Sequence, residues 1–73
     1  MNRYISSDTD VCHGKACFRG TRIPVYLVLE LLEAGKTTRQ ILESYPQLTK
    51  NHITAALHFA AEIAKTQEAS TAV

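Results

Sequence analysis

The chain has 73 residues, 45% of them hydrophobic, and eight Lys or Arg against seven Asp or Glu give it a formal net charge of +1. That length allows one domain, and the near-balanced charge is not the strongly basic footprint of a dedicated nucleic-acid domain. No apolar run approaches the roughly 18 residues of a membrane span, and the first residues lack the basic cluster and apolar core of a secretion signal. A cytoplasmic protein without a membrane partner is expected.

Residues 1–9 and 66–73 are too weakly apolar to belong to a core and are expected to be a flexible N-terminus and a flexible tail, leaving residues 10–65 as the domain. A core this small supplies only about 3–5 kcal/mol, so a partner chain is the default expectation. Charge is unevenly spread. Residues 1–22 hold Arg3, Lys15, Arg19 and Arg22 against Asp8 and Asp10, while the rest holds four bases against five acids.

Along the domain, Val11-Cys12-His13 and Ala16-Cys17-Phe18 flank Gly14-Lys15, and a glycine at the first central position suits a two-residue type II′ hairpin turn. Gly20 breaks the second strand. Pro24, with no amide donor and a fixed φ, suits the first turn of the helix that begins at Val25. In that register Cys12 falls opposite Cys17 in a close, non-hydrogen-bonded pair. Two reduced packing cysteines, a redox disulfide and a metal site all remain open, although C-H-x-x-x-C is not a zinc spacing and no metal or other cofactor is expected.

From Val25 to Ala34 only Tyr26, Glu30 and Glu33 suit water, and they fall on one narrow stripe. The remaining residues cover far more than one apolar arc. A helix buried on two sides is expected, with Leu27, Val28 and Leu31 forming a homodimer interface. Gly35 ends this helix. Thr37 or Thr38 caps a second helix over Arg39–Ser44, which points Ile41 and Leu42 inward, and Pro46 marks its end. Thr49 caps a third helix running to about Lys65, with Leu48 stapled onto Ile53 or a neighbour.

On this third helix Ile53, Ala56, Leu57, Phe59, Ala60, Ala61, Ile63 and Ala64 are expected to fill the inner face, with Asn51, Thr54, Ala55, His58, Glu62 and Lys65 opposite. Two helices joined by a short turn, the second long and polar outside, are the layout of helix-turn-helix DNA readers. Asn51, Thr54 and His58 are then the base-facing candidates, with Arg39 and Lys50 on phosphates. The competing reading is a solvated face, since Glu62 shares the strip and no arginine does.

His52 and His58 project about 120° apart on one helix and cannot both chelate one ion, so solvent or capping roles are expected for them and for His13. The chain offers no paired acids, no nucleophile with a base and no G-x-x-x-x-G-K phosphate loop, so no enzymatic activity is expected. Lys15 and Arg19-Gly20-Thr21-Arg22 could contact an anion, or Thr21 and Arg22 could hold the hairpin against the helices.

The run G-K-x-x-x-R-G-T-R-I-P-V, followed by Ala34-Gly35, Ile41-Leu42, Tyr45-Pro46, Leu48-Thr49 and Ala55-Ala56-Leu57, resembles the DUF433 family of small prokaryotic proteins. The likeness runs from about Asp10 to Ala64. Ala16 stands where the family often has proline, and Cys17 where a β-branched residue is usual. The resemblance implies a mainly α fold, with an N-terminal β-hairpin followed by a three-helix homeodomain-like or winged helix-turn-helix core. It also implies an antitoxin-like component of a type II toxin-antitoxin module that binds a PIN-like ribonuclease toxin and its own promoter DNA. Gly14, Lys15, Arg19, Gly20, Thr21, Arg22 and Pro24 match the family signature, read here as structural or as an anion contact. A dimeric protein-interaction module without nucleic acid is the alternative.

Overall fold

The computed structural model describes residues 3–7 and 14–66. They form β1 (Ile5–Ser6), β2 (Cys17–Phe18), α1 (Val25–Glu33), α2 (Thr38–Ser44) and α3 (Lys50–Thr66) in chain order. The fold is mainly α, with an N-terminal two-stranded antiparallel hairpin laid against three helices, as expected from the sequence.

The three helices follow local signals. Thr37 caps α2 through a complete capping box: its hydroxyl accepts the Gln40 N–H at 3.1 Å, and the Gln40 side chain accepts the Thr37 N–H at 2.9 Å. Helix α1 ends in a Schellman motif. Gly35 takes φ +91°, and the Gly35 and Lys36 amides donate to the carbonyls of Leu32 and Leu31 at 3.0 Å each. Pro24 precedes the helix as its extended N-cap rather than sitting in its first turn.

The hairpin differs from expectation in its partner. Strand β2 pairs with β1, placing Ile5 opposite Phe18 and Ser6 opposite Cys17. On its other side β2 meets the segment before α1: Cys17 bridges Pro24, the Phe18 N–H donates to the Ile23 carbonyl at 3.0 Å, and the Val25 N–H donates to the Ala16 carbonyl at 3.0 Å. The tight turn on β2 is therefore Arg19–Arg22, with Gly20 at φ +81°. The expected Val11–His13 strand, including Cys12 and His13, lies outside the described residues. Among the described residues, Cys17 has Ser6 and Pro24 as its ladder neighbours.

Ile5, Phe18, Val25, Val28, Ile41, Leu48, Ile53, Ala55 and Ala56 build one core. Ile5 and Phe18 are fully covered, so a residue from the stretch expected to stay outside the core sits at its centre. Leu48 and Ile53, the N′ and N4 positions of α3, are both buried there, as a hydrophobic staple requires. Two corrections apply to α3. Ala55 is buried, not on the outer face, and of the residues expected on the inner face Leu57, Ala61, Ile63 and Ala64 are exposed, Leu57 and Ile63 to 51% and 47%. Helix α3 packs against α1 and α2 with Ala55 and Ala56 together at the covered face, which rolls Leu57 outward.

Candidate nucleic-acid interface

Helices α2 and α3 are joined by Tyr45 to Thr49, a connection tightened by the Leu48 N–H donating to the Tyr45 carbonyl at 2.9 Å. Proline at position 46 cannot continue α2, and Thr49 opens α3 by offering its carbonyl to the amides of His52 and Ile53 at 2.9 and 3.3 Å. The result is a helix-turn-helix pair.

Of the five residues expected on its outer face, all are exposed. Arg39 and Lys50 come together, across the two helices, at a shallow cleft of about 500 Å³ that also includes Thr38, Leu42 and Glu43. Asn51, Thr54 and His58 follow along α3 on the solvent side. Two of these candidates are engaged with acids on their own helices. Arg39 Nε lies 3.8 Å from Glu43 Oε2, and His58 Nε2 lies 3.8 Å from Glu62 Oε2, which Lys65 Nζ also approaches at 3.5 Å. Such exposed pairs are worth at most about 1 kcal/mol, so a phosphate can displace them at little cost. Lys50 makes no ion pair among the described residues.

His52 takes the capping role expected for a histidine here, and a packing role the sequence did not disclose. Its Nδ1 accepts the Thr49 backbone N–H at 3.0 Å and lies 2.9 Å from the Thr49 hydroxyl. Its ring also stands edge-on to Tyr4 and Phe18, with centroids 5.0 and 5.6 Å away. The start of α3 is thus fastened to the hairpin.

The signature residues do structural work first. Arg19 Nε donates to the Arg3 carbonyl and Arg19 Nη2 to the Ile5 carbonyl, each at 3.0 Å, while the Arg19 amide donates to the Tyr4 carbonyl at 2.8 Å. One residue therefore holds residues 3–5, which lead into β1, through three bonds. The Thr21 hydroxyl donates to the Phe18 carbonyl at 2.8 Å and accepts the Ile23 N–H at 3.0 Å, closing the loop from inside. Gly14, Lys15 and Arg22 are exposed.

The expected dimer residues divide. Val28 is fully covered within the protomer and has no surface to offer a partner, because its side chain faces the core between Val25 and Leu32. Leu27 and Leu31 are half-buried. Large apolar side chains are exposed instead at Tyr26, Leu57 and Ile63. Among the described residues no three metal-ligating side chains gather, and no helix is long and apolar enough to cross a membrane.

The hairpin, helix order and signature loop define a class. The chain belongs to the family described as "Protein of unknown function (DUF433)", whose model matches residues 5–60. It is 36% identical over 56 residues to the uncharacterized protein y4eO of Sinorhizobium fredii, a match covering 77% of this chain and 25% of that protein. It is also similar to the crystal structure of a DUF433 member protein from Anabaena variabilis, with 32% identity and a TM-score of 0.80, covering 86% of this chain and 62% of that one. This chain thus spans about a quarter of the first relative's length and under two thirds of the second's.

Proposed function

We propose that the protein is an antitoxin-like DNA-contacting module, a binding protein rather than an enzyme, that acts as a homodimer in the cytoplasm. The observation that carries this reading is the α2–turn–α3 pair. It presents Asn51, Thr54 and His58 on one exposed strip, with Arg39 and Lys50 gathered at the cleft where the two helices meet. Side-chain amides suit adenine edges, and the two cations suit flanking phosphates. The family resemblance supplies the second partner, a PIN-like ribonuclease toxin.

The reading is tested by retardation of the protein's own promoter fragment at low salt, together with recovery of the tagged chain from its native host. Retention that falls steeply with salt and is lost in the N51A/H58A variant is expected, with a nuclease co-purifying in stoichiometric amount. Failure of both associations overturns it. The second reading, a protein-interaction module without nucleic acid, is favoured by the exposed Leu57 and Ile63 and by Glu62 beside His58. It predicts that N51A/H58A changes nothing.

A further inference from the structure

We propose that the N-terminal half of α3 reads an A·T step in the major groove of duplex DNA, with Asn51 on the adenine edge and the Thr54 γ-methyl and Leu57 on the thymine 5-methyl group. This rests on the DNA-contacting reading above and deepens it by naming the bases. The side chains of Lys50, Asn51 and Thr54 are exposed and make no hydrogen bond or ion pair among the described residues. His58, by contrast, stands 3.8 Å from Glu62. Glu62 is the only acid of α3, and it lies about 18 Å beyond Lys50 along the axis. The charge of the helix-turn-helix is thus divided. Arg39 and Lys50 meet at the start of α3, where the helix dipole is also positive, and Glu43, which shares that cleft, lies 3.8 Å from Arg39. A polyanion is drawn to this end and repelled from the other, so the first turns of α3 are the ones that enter the groove.

Leu57 supplies the second observation. It is 51% exposed, although Ile53, Ala55 and Ala56 on the same helix are buried in the core. Lys50 and Leu57 are one heptad apart and lie within about 20° of each other around the axis, with Thr54 between them and Asn51 on the far side of Thr54. Asn51 and Thr54 are separated by about 4.5 Å of helical rise, close to the roughly 3.4 Å between successive bases of one strand. The pair therefore spans one base step. A side-chain amide matches the donor and acceptor of adenine N6 and N7, and a methyl group beside a leucine matches the 5-methyl of thymine, the apolar group that G·C pairs lack in this groove.

The test uses the protein's own promoter fragment and a random-sequence duplex, each made once with thymidine and once with deoxyuridine, which lacks only the 5-methyl group. Binding to the full chain is followed by fluorescence anisotropy at low salt. The parent is expected to bind the deoxyuridine promoter fragment about fourfold more weakly, the equivalent of one buried methyl group. T54V keeps the methyl, loses the hydroxyl and retains that preference. T54S, which does the reverse, and L57N each reduce it, and the T54S/L57N double variant binds both fragments alike. N51A weakens binding of either fragment about tenfold. K50Q lowers the salt slope by about 1, whereas T54S leaves it unchanged. Equal binding of the two promoter fragments by the parent, or a thymidine preference that survives intact in the double variant, overturns this proposal and leaves the DNA-contacting reading in place. Retention of neither duplex overturns both.

Discussion

Nδ1 of His52 accepts the backbone N–H of Thr49 at 3.0 Å, so a histidine fills the N3 acceptor position of α3 that Gln40 fills in α2. The same ring packs edge-on against Tyr4 and Phe18. Substitution separates the two contributions. H52A loses both and is expected to cost about 1–3 kcal/mol. H52Q restores the acceptor and loses only the ring contacts, about 0.5–1.5 kcal/mol. Urea unfolding of the two variants checks the order; equal losses would mean that the cap contributes nothing.

Arg19 presents a sharper case. A lysine cannot reach the Arg3 and Ile5 carbonyls with two separate nitrogens, so R19K should be nearly as damaging as R19A, each losing about 1–3 kcal/mol. Amide exchange measured along β1 should quicken more than exchange in α2. Uniform quickening across the domain would contradict a local clamp.

The fully covered Ile5 side chain should be as costly to truncate as any helix residue of the core. I5A is expected to destabilise by about 2–5 kcal/mol, and deletion of residues 1–7 should unfold the domain or drive it into aggregates. Thermal unfolding by circular dichroism distinguishes this from a dispensable N-terminus, for which both variants would melt with the parent.

Gly35 gives a backbone prediction free of steric contributions, since a Cβ added there meets nothing within 4 Å. G35A should cost about 1 kcal/mol through its φ of +91° alone. G35N, whose side chain tolerates the left-handed region, should cost less. Chemical denaturation of the pair reads this difference directly.

What was legible in the sequence was local. Thr37, Thr49, Gly35 and Pro46 bounded the helices because caps and breakers act within a turn or two of themselves. The exposed stripe of Tyr26, Glu30 and Glu33 followed from periodicity. Strand pairing is not local. Ile5 and Phe18 are separated by a long connection, and a strand of two residues leaves no alternation to detect, so the Gly14-Lys15 signal suggested a nearer partner. Ala55 was misplaced because alanine suits either face, and the crossing of α1 and α3 decides which one is covered. For the candidate site, charged residues such as Arg39 and Lys50 could be placed at the surface by type alone. The exposure of Leu57 could not, since it depends on how α3 sits against α1 and α2.

The Tyr4–His52 ring contact also has a consequence for biosynthesis. Residue 4 leaves the ribosome long before residue 52, so the first strand has no finished seat until the start of the last helix has emerged. Its apolar side chain at position 5 must wait in water or in the keeping of a chaperone, and the domain closes only when nearly its whole length has been made.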